Sequence, residues 1–327
     1  MNPRLSNQKP KIYAAIIGKN EEKALPRCLA SLKGFDGIFY TDTGSKDKSI
    51  PIAEHYWAHV TYFKWVNDFS KARNFNLDQI PKNEWVFIID CDEYLPAGEI
   101  KKIRAAMAKS KSGHCFAHVK NISDGGEHQH LRFFKNNIRY KDAWHTHIPV
   151  KTFEFTDVVL MHDPSINHKK DPNRNWRIIK NIKNPSARME ALIGRELMGM
   201  HRYKEALKHY ERYFKNATFN QQTADALVYA GQCFFQIKKP NEAQVNILEA
   251  IKFNPEFKEA LIAMATTCQP WQMKAWLRYA KSATNARIIN IPGRQNERIT
   301  ELEKIADLFL QGKKVKEVEK IIAKKKQ

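Results

Sequence analysis

The stretch NEWVFIIDCDEYL, residues 83–95, runs an apolar segment, Trp85 to Ile89, directly into Asp90-Cys91-Asp92-Glu93. Side chains alternate along an extended strand, which places Asp90 and Asp92 on one face and Cys91 on the other. Two carboxylates at a strand exit make a hard-oxygen site for Mg²⁺ or Mn²⁺. Such ions take few carboxylates and complete their shell with water and phosphate oxygens. A DxD by itself is equally a solvated acidic turn, so its weight depends on its surroundings. Asp42 ends a second apolar run, GIFYTDTG, and Lys19-Asn20-Glu21 follows a third, KIYAAIIG. Arg73 stands in DFSKARN, and His162 in LMHDP. Asp142, His145 and His147 crowd RYKDAWHTHIPV, where an imidazole is suited to proton transfer near neutral pH. The alternating His128 and His130 of EHQHLRFF read as the exposed side of an edge strand.

The elements that must position these groups follow from periodicity. KIYAAIIG, GIFYTDTG, HVTYFKW and EWVFIID have the length and apolar density of buried strands. Between and after them NEEKALPRCLASLKG, SKDKSIPIAEHYW, DFSKARNFNLDQI and AGEIKKIRAAMAKS have helical spacing. Strand–helix alternation with short links predicts a mainly parallel α/β sheet, covered on both faces. Ligands collect beyond the carboxyl ends of such strands, where Asp42 and Asp90 both fall. From Gly113 to about His162 four shorter strands, GHCFAHVKN, HQHLRFFK, IRYKD and VVLMHD, suggest an antiparallel addition. DPSINHKKDPNRN reads as a linker.

Beyond the linker the pattern is helical and repeats. Aligning Gly194 with Gly231 brings Ala206 onto Ala243. Leu227, Gly231, Ala243, Ala250 and Pro255 occupy the small-residue and proline positions of a tetratricopeptide repeat, in which small side chains let paired helices approach. The expected division is residues 1–170 for the sheet domain, 171–275 for tetratricopeptide-like helices and 276–327 for basic C-terminal helices. Such repeats bind a protein partner, mediate self-association or brace the neighbouring domain.

The 327 residues carry a net charge of +20, with both halves basic, a balance that favours polyanionic partners. No apolar run has the length of a membrane span, and MNPRLSNQKPK lacks the core of a secretory signal. Five scattered cysteines without a CxxC pair argue against a disulfide framework or zinc ribbon, which points to a cytoplasmic setting.

Taken in order, IIGKNEEKALPRCLASL, DTGSKDKS, WVNDFSKARNFNL and WVFIIDCDEYL resemble the family-2 glycosyltransferases of the GT-A fold, over roughly residues 11–165. The resemblance implies an inverting transfer from a nucleoside-diphosphate sugar, by default a UDP-sugar, with Mn²⁺ or Mg²⁺. It sets Lys19-Asn20-Glu21 beside base and ribose, and Asp42 as an acceptor from the base. Asp90 and Asp92 would meet ribose and metal, with His162 as a further metal or phosphate contact. Arg73 would face the diphosphate or buttress the acidic site. Relatives often carry a His-Glu pair where this chain has His145-Thr146, so Asp142, His145 and His147 become the candidates for the base. For the acceptor, the charge favours a hydroxymethylated base in DNA, which would have to be flipped out of the duplex. Lipopolysaccharide core, another envelope glycan or a peptide is the alternative. An inactive tetratricopeptide scaffold is the reading from another class.

Overall fold

The apolar run after Lys11 becomes β1 (Ile12–Gly18), the centre of a sheet that includes β2 (Gly37–Asp42), β3 (His59–Tyr62) and β4 (Trp85–Ile88). This is a computed structural model, and it describes residues 10–123, 125–165, 173–217, 221–283, 292–313 and 317. β1 pairs in parallel with β2 and with β4, and β2 pairs in parallel with β3. Three helices join these strands: α1 (Leu25–Ala30), α2 (Ser49–His55) and α3 (Phe69–Asp78). A strand buried on both faces reads as a continuous apolar run, and β1 shows why. Ile12, Ala14 and Ile16 pack among Leu25, Cys28 and Leu29 of α1, while Ala15 joins Leu77 of α3 in a separate core.

After β4 come β5 (Glu93–Tyr94), α4 (Glu99–Lys109), β6 (His114–Asn121), β7 (Glu127–Lys135) and β8 (Glu154–His162). They complete an eight-stranded sheet of order β3-β2-β1-β4-β7-β6-β8-β5. Pairs β4–β7, β6–β7 and β5–β8 are antiparallel, as the added region was expected to be, but β6 and β8 run parallel. The cause is the long connection from Asn136 to Phe153, which returns the chain to the start of β6 before β8 begins.

Further departures from the expected elements have local causes. IRYKD forms no strand, only an isolated bridge between Lys141 and His147. Asp142 and His145 take positive φ angles of 66° and 49°, which turn the chain back on itself. The first helix starts at Leu25 rather than at Asn20: Asn20 is left-handed at φ 59°, and Pro26 sits in the first turn, where its missing N–H costs nothing. Asp90-Cys91-Asp92 lies past the end of β4 in a turn, so strand alternation does not set its side chains.

α5 (Arg174–Ile179) follows in the first compact unit, which ends at Ile182; a second unit spans Lys183–Gln327. Its helices are α6 (Ala187–Gly199), α7 (Tyr203–Asn216), α8 (Gln221–Gln236), α9 (Pro240–Phe253), α10 (Lys258–Thr267), α11 (Pro270–Ser282) and α12 (Pro292–Leu310). Pairs α6–α7, α8–α9 and α10–α11 pack as hairpins. The two aligned glycines sit where paired helices touch. A Cβ on Gly194 would lie 2.8 Å from the Tyr210 ring; one on Gly231 would lie 2.6 Å from Ile247 and 2.9 Å from the Ala243 carbonyl. Residues 314–316 and 318–327 of the lysine-rich end, and linker residues 166–172, lie outside the described residues.

These contacts invert the usual helix propensity. Gly→Ala in a helix interior ordinarily stabilises by up to about 1 kcal/mol. At Gly231 overpacking against backbone should dominate, so Gly231→Ala is expected to destabilise by about 1–3 kcal/mol. Gly199→Ala, with nothing within 4 Å of the added carbon, should be neutral or stabilising. Urea denaturation of both variants checks this, and equal effects would remove the packing explanation.

Candidate functional site

The acidic turn is built from its backbone outward. The Glu93 amide donates to the Asp90 carbonyl at 3.0 Å, and the Asp90 amide donates back to Glu93 Oε2 at 2.9 Å. The other Glu93 oxygen accepts from Arg132 Nη2 at 2.5 Å, with both side chains at least nine-tenths buried. Arg132 also reaches the Ile88 carbonyl at 3.4 Å. The third acidic residue of DCDE is therefore a buried strut. It ties the turn to β7 through an arginine set in the apolar run LRFF. Burial pushes the Glu93 carboxyl up to about 7 against the pull of Arg132, with Asp90 and Asp92 adding to the rise.

Asp90 has the opposite fate. Arg73 Nη2 donates to its Oδ1 at 2.8 Å. Although burial opposes ionisation, Arg73 and then Arg132 hold its carboxyl down at about 2. The Arg73 guanidinium lies over the Tyr140 ring, 5.3 Å from its centroid. Arg73 thereby grips the acidic turn. It does so from α3, whose polar residues each hold a different element. Asp68 caps the helix by accepting the Lys71 amide at 3.0 Å. Asn74 exchanges two hydrogen bonds with the Tyr140 backbone, at 2.8 and 3.0 Å. Buried Asn76 donates to the carbonyls of Ile16 and Phe39 and to Thr41 Oγ1.

Asp92 meets His162. The β5–β8 register sets Glu93 opposite His162, the Asp163 amide donates to the Asp92 carbonyl at 2.9 Å, and His162 Nε2 lies 3.2 Å from Asp92 Oδ2. That hydrogen bond raises the pKa of the imidazole, against burial. Asp163 is in turn held by Arg27 at 2.9 Å, and Arg27 stacks over Tyr94 at 4.4 Å. Among the described residues no three His, Cys, Asp or Glu side chains converge as a metal cage. Asp92 and His162 bring two potential donor atoms within 3.2 Å of each other, while Asp90 turns one oxygen to Arg73. This fits an ion that takes its remaining ligands from water and phosphate.

On the other side of β1, the loops after β1 and β2 are laced together. The Asn20 amide donates to Ser45 Oγ at 2.8 Å, the Lys46 amide donates to Asn20 Oδ1 at 2.7 Å, and the Glu21 amide donates to Ser49 Oγ at 2.6 Å. Lys19 lies exposed on the same loop. Asp42 is buried; its Oδ2 accepts from the Gly44 and Ser45 amides at 2.8 and 2.9 Å, while Oδ1 has no hydrogen-bond partner among the described residues. Burial, then Asp92, Asp90 and Asp47, push Glu21 up to about 8. Gly18 is needed where these loops meet the acidic turn: a Cβ there would lie 2.6 Å from the Tyr40 hydroxyl and 3.0 Å from the Cys91 sulfur.

The region 140–147 forms a turn pinned to α3. Besides the Asn74 clamp, the Phe69 amide donates to the Ala143 carbonyl at 2.9 Å. Asp142 Oδ2 lies 3.1 Å from His147 Nδ1, whereas His145 is exposed with its ring against Trp144. The structure thus brings together Arg73 with Asp90, Asp92 with His162, and Asp142 with His147. Glu93, Arg132, Asn74 and Asn76 had no assigned part in the sequence. A charged residue inside an apolar strand and the polar inner face of α3 were the available signals.

The strut makes a measurable prediction. Arg132→Met leaves Glu93 buried without its cation and should cost about 3 kcal/mol. Because the folded pKa of Glu93 is already raised, its contribution to stability is full below the unfolded value and declines as pH rises through about 7. Loss of Arg132 should steepen that decline, giving a larger melting-temperature drop between pH 5 and pH 8 than in the parent. A parallel loss at both pH values would show that Glu93 is not the group responding.

Comparison with known proteins agrees with this geometry. Residues 14–165 match the family described as Glycosyl transferase family 2. The chain is 27% identical over 253 residues to the SPbeta prophage-derived glycosyltransferase SunS of Bacillus subtilis, covering 67% of this chain and 57% of that protein. It is 27% identical over 173 residues to a TPR repeat-containing protein of Synechococcus elongatus, covering 51% and 39%. The chain thus spans about half the length of these curated relatives. Among solved structures, S. aureus TarS 1–349 in complex with UDP-GlcNAc shares 13% identity, with 93% of each chain covered and a TM-score of 0.41. Residues 14–165 thus match glycosyl transferase family 2, and a helical region follows them in the chain.

Proposed function

We propose that the chain transfers a sugar from a nucleoside-diphosphate donor, by default a UDP-sugar, to a hydroxyl of an acceptor, with inversion. The observation that carries this reading is the Asp92–His162 pair beside the Arg73-bound Asp90. The unpartnered, buried Asp42 Oδ1 supports it, because a base edge offers the N–H that this oxygen lacks. Lys19, Asn20 and Glu21 lie on the loop that is laced to the one after Asp42. Asp92 and His162 would hold Mn²⁺ or Mg²⁺; bound there, the cation supplies neutralisation of the departing diphosphate.

The chain's own residues do the rest. Asp90, kept ionised by Arg73, accepts from ribose hydroxyls. Asp142 orients His147, whose imidazole takes the proton as the acceptor oxygen bonds to the anomeric carbon and the carbon–oxygen bond to the diphosphate breaks. Exposed His145 is the other candidate for that proton. For the acceptor, the net charge of +20 supports a polyanion, with a hydroxymethylated base in DNA ahead of lipopolysaccharide core or a peptide.

UDP with Mn²⁺ should raise the melting temperature of the parent, whereas Asp92→Ala and His162→Ala should lose the Mn²⁺-dependent part of that shift. UDP-sugar hydrolysis should fall at least 100-fold in Asp92→Ala; hydrolysis at the parental rate would sink the metal assignment. His147→Ala should cut transfer by about 10²–10⁴-fold while leaving UDP affinity intact. A fall instead in His145→Ala alone would move the base to that residue. Radiolabelled transfer tested on hydroxymethylated DNA, lipopolysaccharide core and an acidic peptide separates the acceptors, and labelling of an uncharged glycan alone would reject the polyanion.

A further inference from the structure

His128 and His130 take no part in the steps above, yet the sheet carries them to the acidic turn. The β4–β7 register runs Trp85 to Lys135, Val86 to Phe134 and Phe87 to Phe133. Beyond Phe87 a bulge in β7 shifts the register, and His130 comes within electrostatic reach of Asp90 in the turn after β4. The β6 pairings place His130 opposite Ala117 and His128 opposite Val119, and Val119 pairs with Leu160, two residues before His162. Residues opposite one another in a sheet share a face, as do residues two apart in one strand. His128, His130 and His162 therefore stand on one face, and Glu93, opposite His162, stands with them.

The electrostatics agree with that placement. Burial and then Arg132 lower the pKa of His130, to about 4, with His128, Asp90 and Arg73 also acting on it. Burial, Arg132 and then His162 lower that of His128. Both rings are neutral at physiological pH, so each carries one N–H donor and one acceptor nitrogen. His130 is nonetheless solvent-exposed and His128 half-exposed. The two rings meet edge to face, 4.6 Å between centroids, a contact that fixes their orientation.

We propose that His128 and His130 line the subsite for the transferred sugar and select it through hydrogen bonds to its hydroxyls. This rests on the reading that the Asp90–Asp92 turn holds the nucleoside diphosphate. His130 lies within electrostatic reach of Asp90, and His128 of His162, so both rings adjoin the turn read as holding the diphosphate, to which the sugar is attached. Neutral imidazoles match sugar hydroxyls, each of which donates and accepts one bond at a time. Burial, helped by Arg132, keeps them neutral, so they do not compete for the diphosphate.

Calorimetry on the full chain with Mn²⁺ tests this, using UDP, UDP-glucose, UDP-galactose and UDP-N-acetylglucosamine. The readout is the ratio of UDP-sugar affinity to UDP affinity for the sugar that the parent prefers. His130→Phe keeps the ring but removes its hydrogen bonds, and should lower that ratio about tenfold with UDP affinity within twofold of the parent. His130→Asn, which retains a donor and an acceptor, should recover part of it, and His128→Phe should change the ranking among the three sugars. Equal losses for UDP and UDP-sugar, or an unchanged ratio in both phenylalanine variants, overturn the proposal and leave nucleotide binding standing. A parent that binds neither UDP nor any UDP-sugar overturns the nucleotide reading, and this proposal with it.

Discussion

The buried pair of Glu93 and Arg132 is the constraint on which the acidic turn depends. Desolvating two charges costs several kcal/mol per ion and is repaid only with good geometry and further hydrogen bonds. Here Glu93 Oε2 accepts the Asp90 amide while Oε1 takes the guanidinium, so one carboxylate fixes both the turn backbone and its distance from β7. Exchanging the pair for apolar residues could preserve packing, but it would free the Asp90 amide. The pair is better understood as positioning the turn than as a source of stability.

The second constraint is α3, which acts as a spacer with several polar contacts. A helix places residues three or four apart on one face, and that is how Arg73, Asn76 and Leu77 all point inward. Arg73 meets β4's exit, Asn76 stitches β1 to β2, and Leu77 joins the apolar core on that face of the sheet. Asn74 looks to a neighbouring direction and clamps Tyr140, which brings the turn with Asp142 and His147 to the same end of the sheet. One helix thereby couples the acidic turn to the loop that carries the candidate base.

Strand–helix alternation through Asp90 was legible in the sequence because each strand there is a dense apolar run and each link is short. The aligned glycines were legible because close helix packing tolerates few residue types. The parallel β6–β8 pairing was not, since direction depends on the path of the connection from Asn136 to Phe153, and local periodicity carries no record of it. The turn geometry of Asp90-Cys91-Asp92 was also hidden, because an apolar run shows where burial ends but not where extended backbone ends. Arg132 and Glu93 each looked like a solvated charge, and only the pairing of β7 with β4 makes them partners. The same pairing makes β7 an interior strand, so His128 and His130 do not lie on the edge strand that their alternation suggested.

The carboxylates at this end of the sheet also bear on why a divalent cation is expected there. Asp90 has Arg73 at 2.8 Å, Glu93 has Arg132 at 2.5 Å, and Asp163 has Arg27 at 2.9 Å. Asp92 is met by an imidazole instead, at 3.2 Å. A diphosphate entering this region adds negative charge to a cluster whose guanidinium groups are already engaged. Drawing Arg73 or Arg132 onto the phosphates would unbalance Asp90 or strand Glu93 in the interior. A cation held by Asp92 and His162 would supply the missing positive charge without breaking either pair, since an imidazole can exchange its hydrogen bond for a metal. The distribution of arginines therefore favours Asp92, rather than Asp90, as the carboxylate that carries the metal.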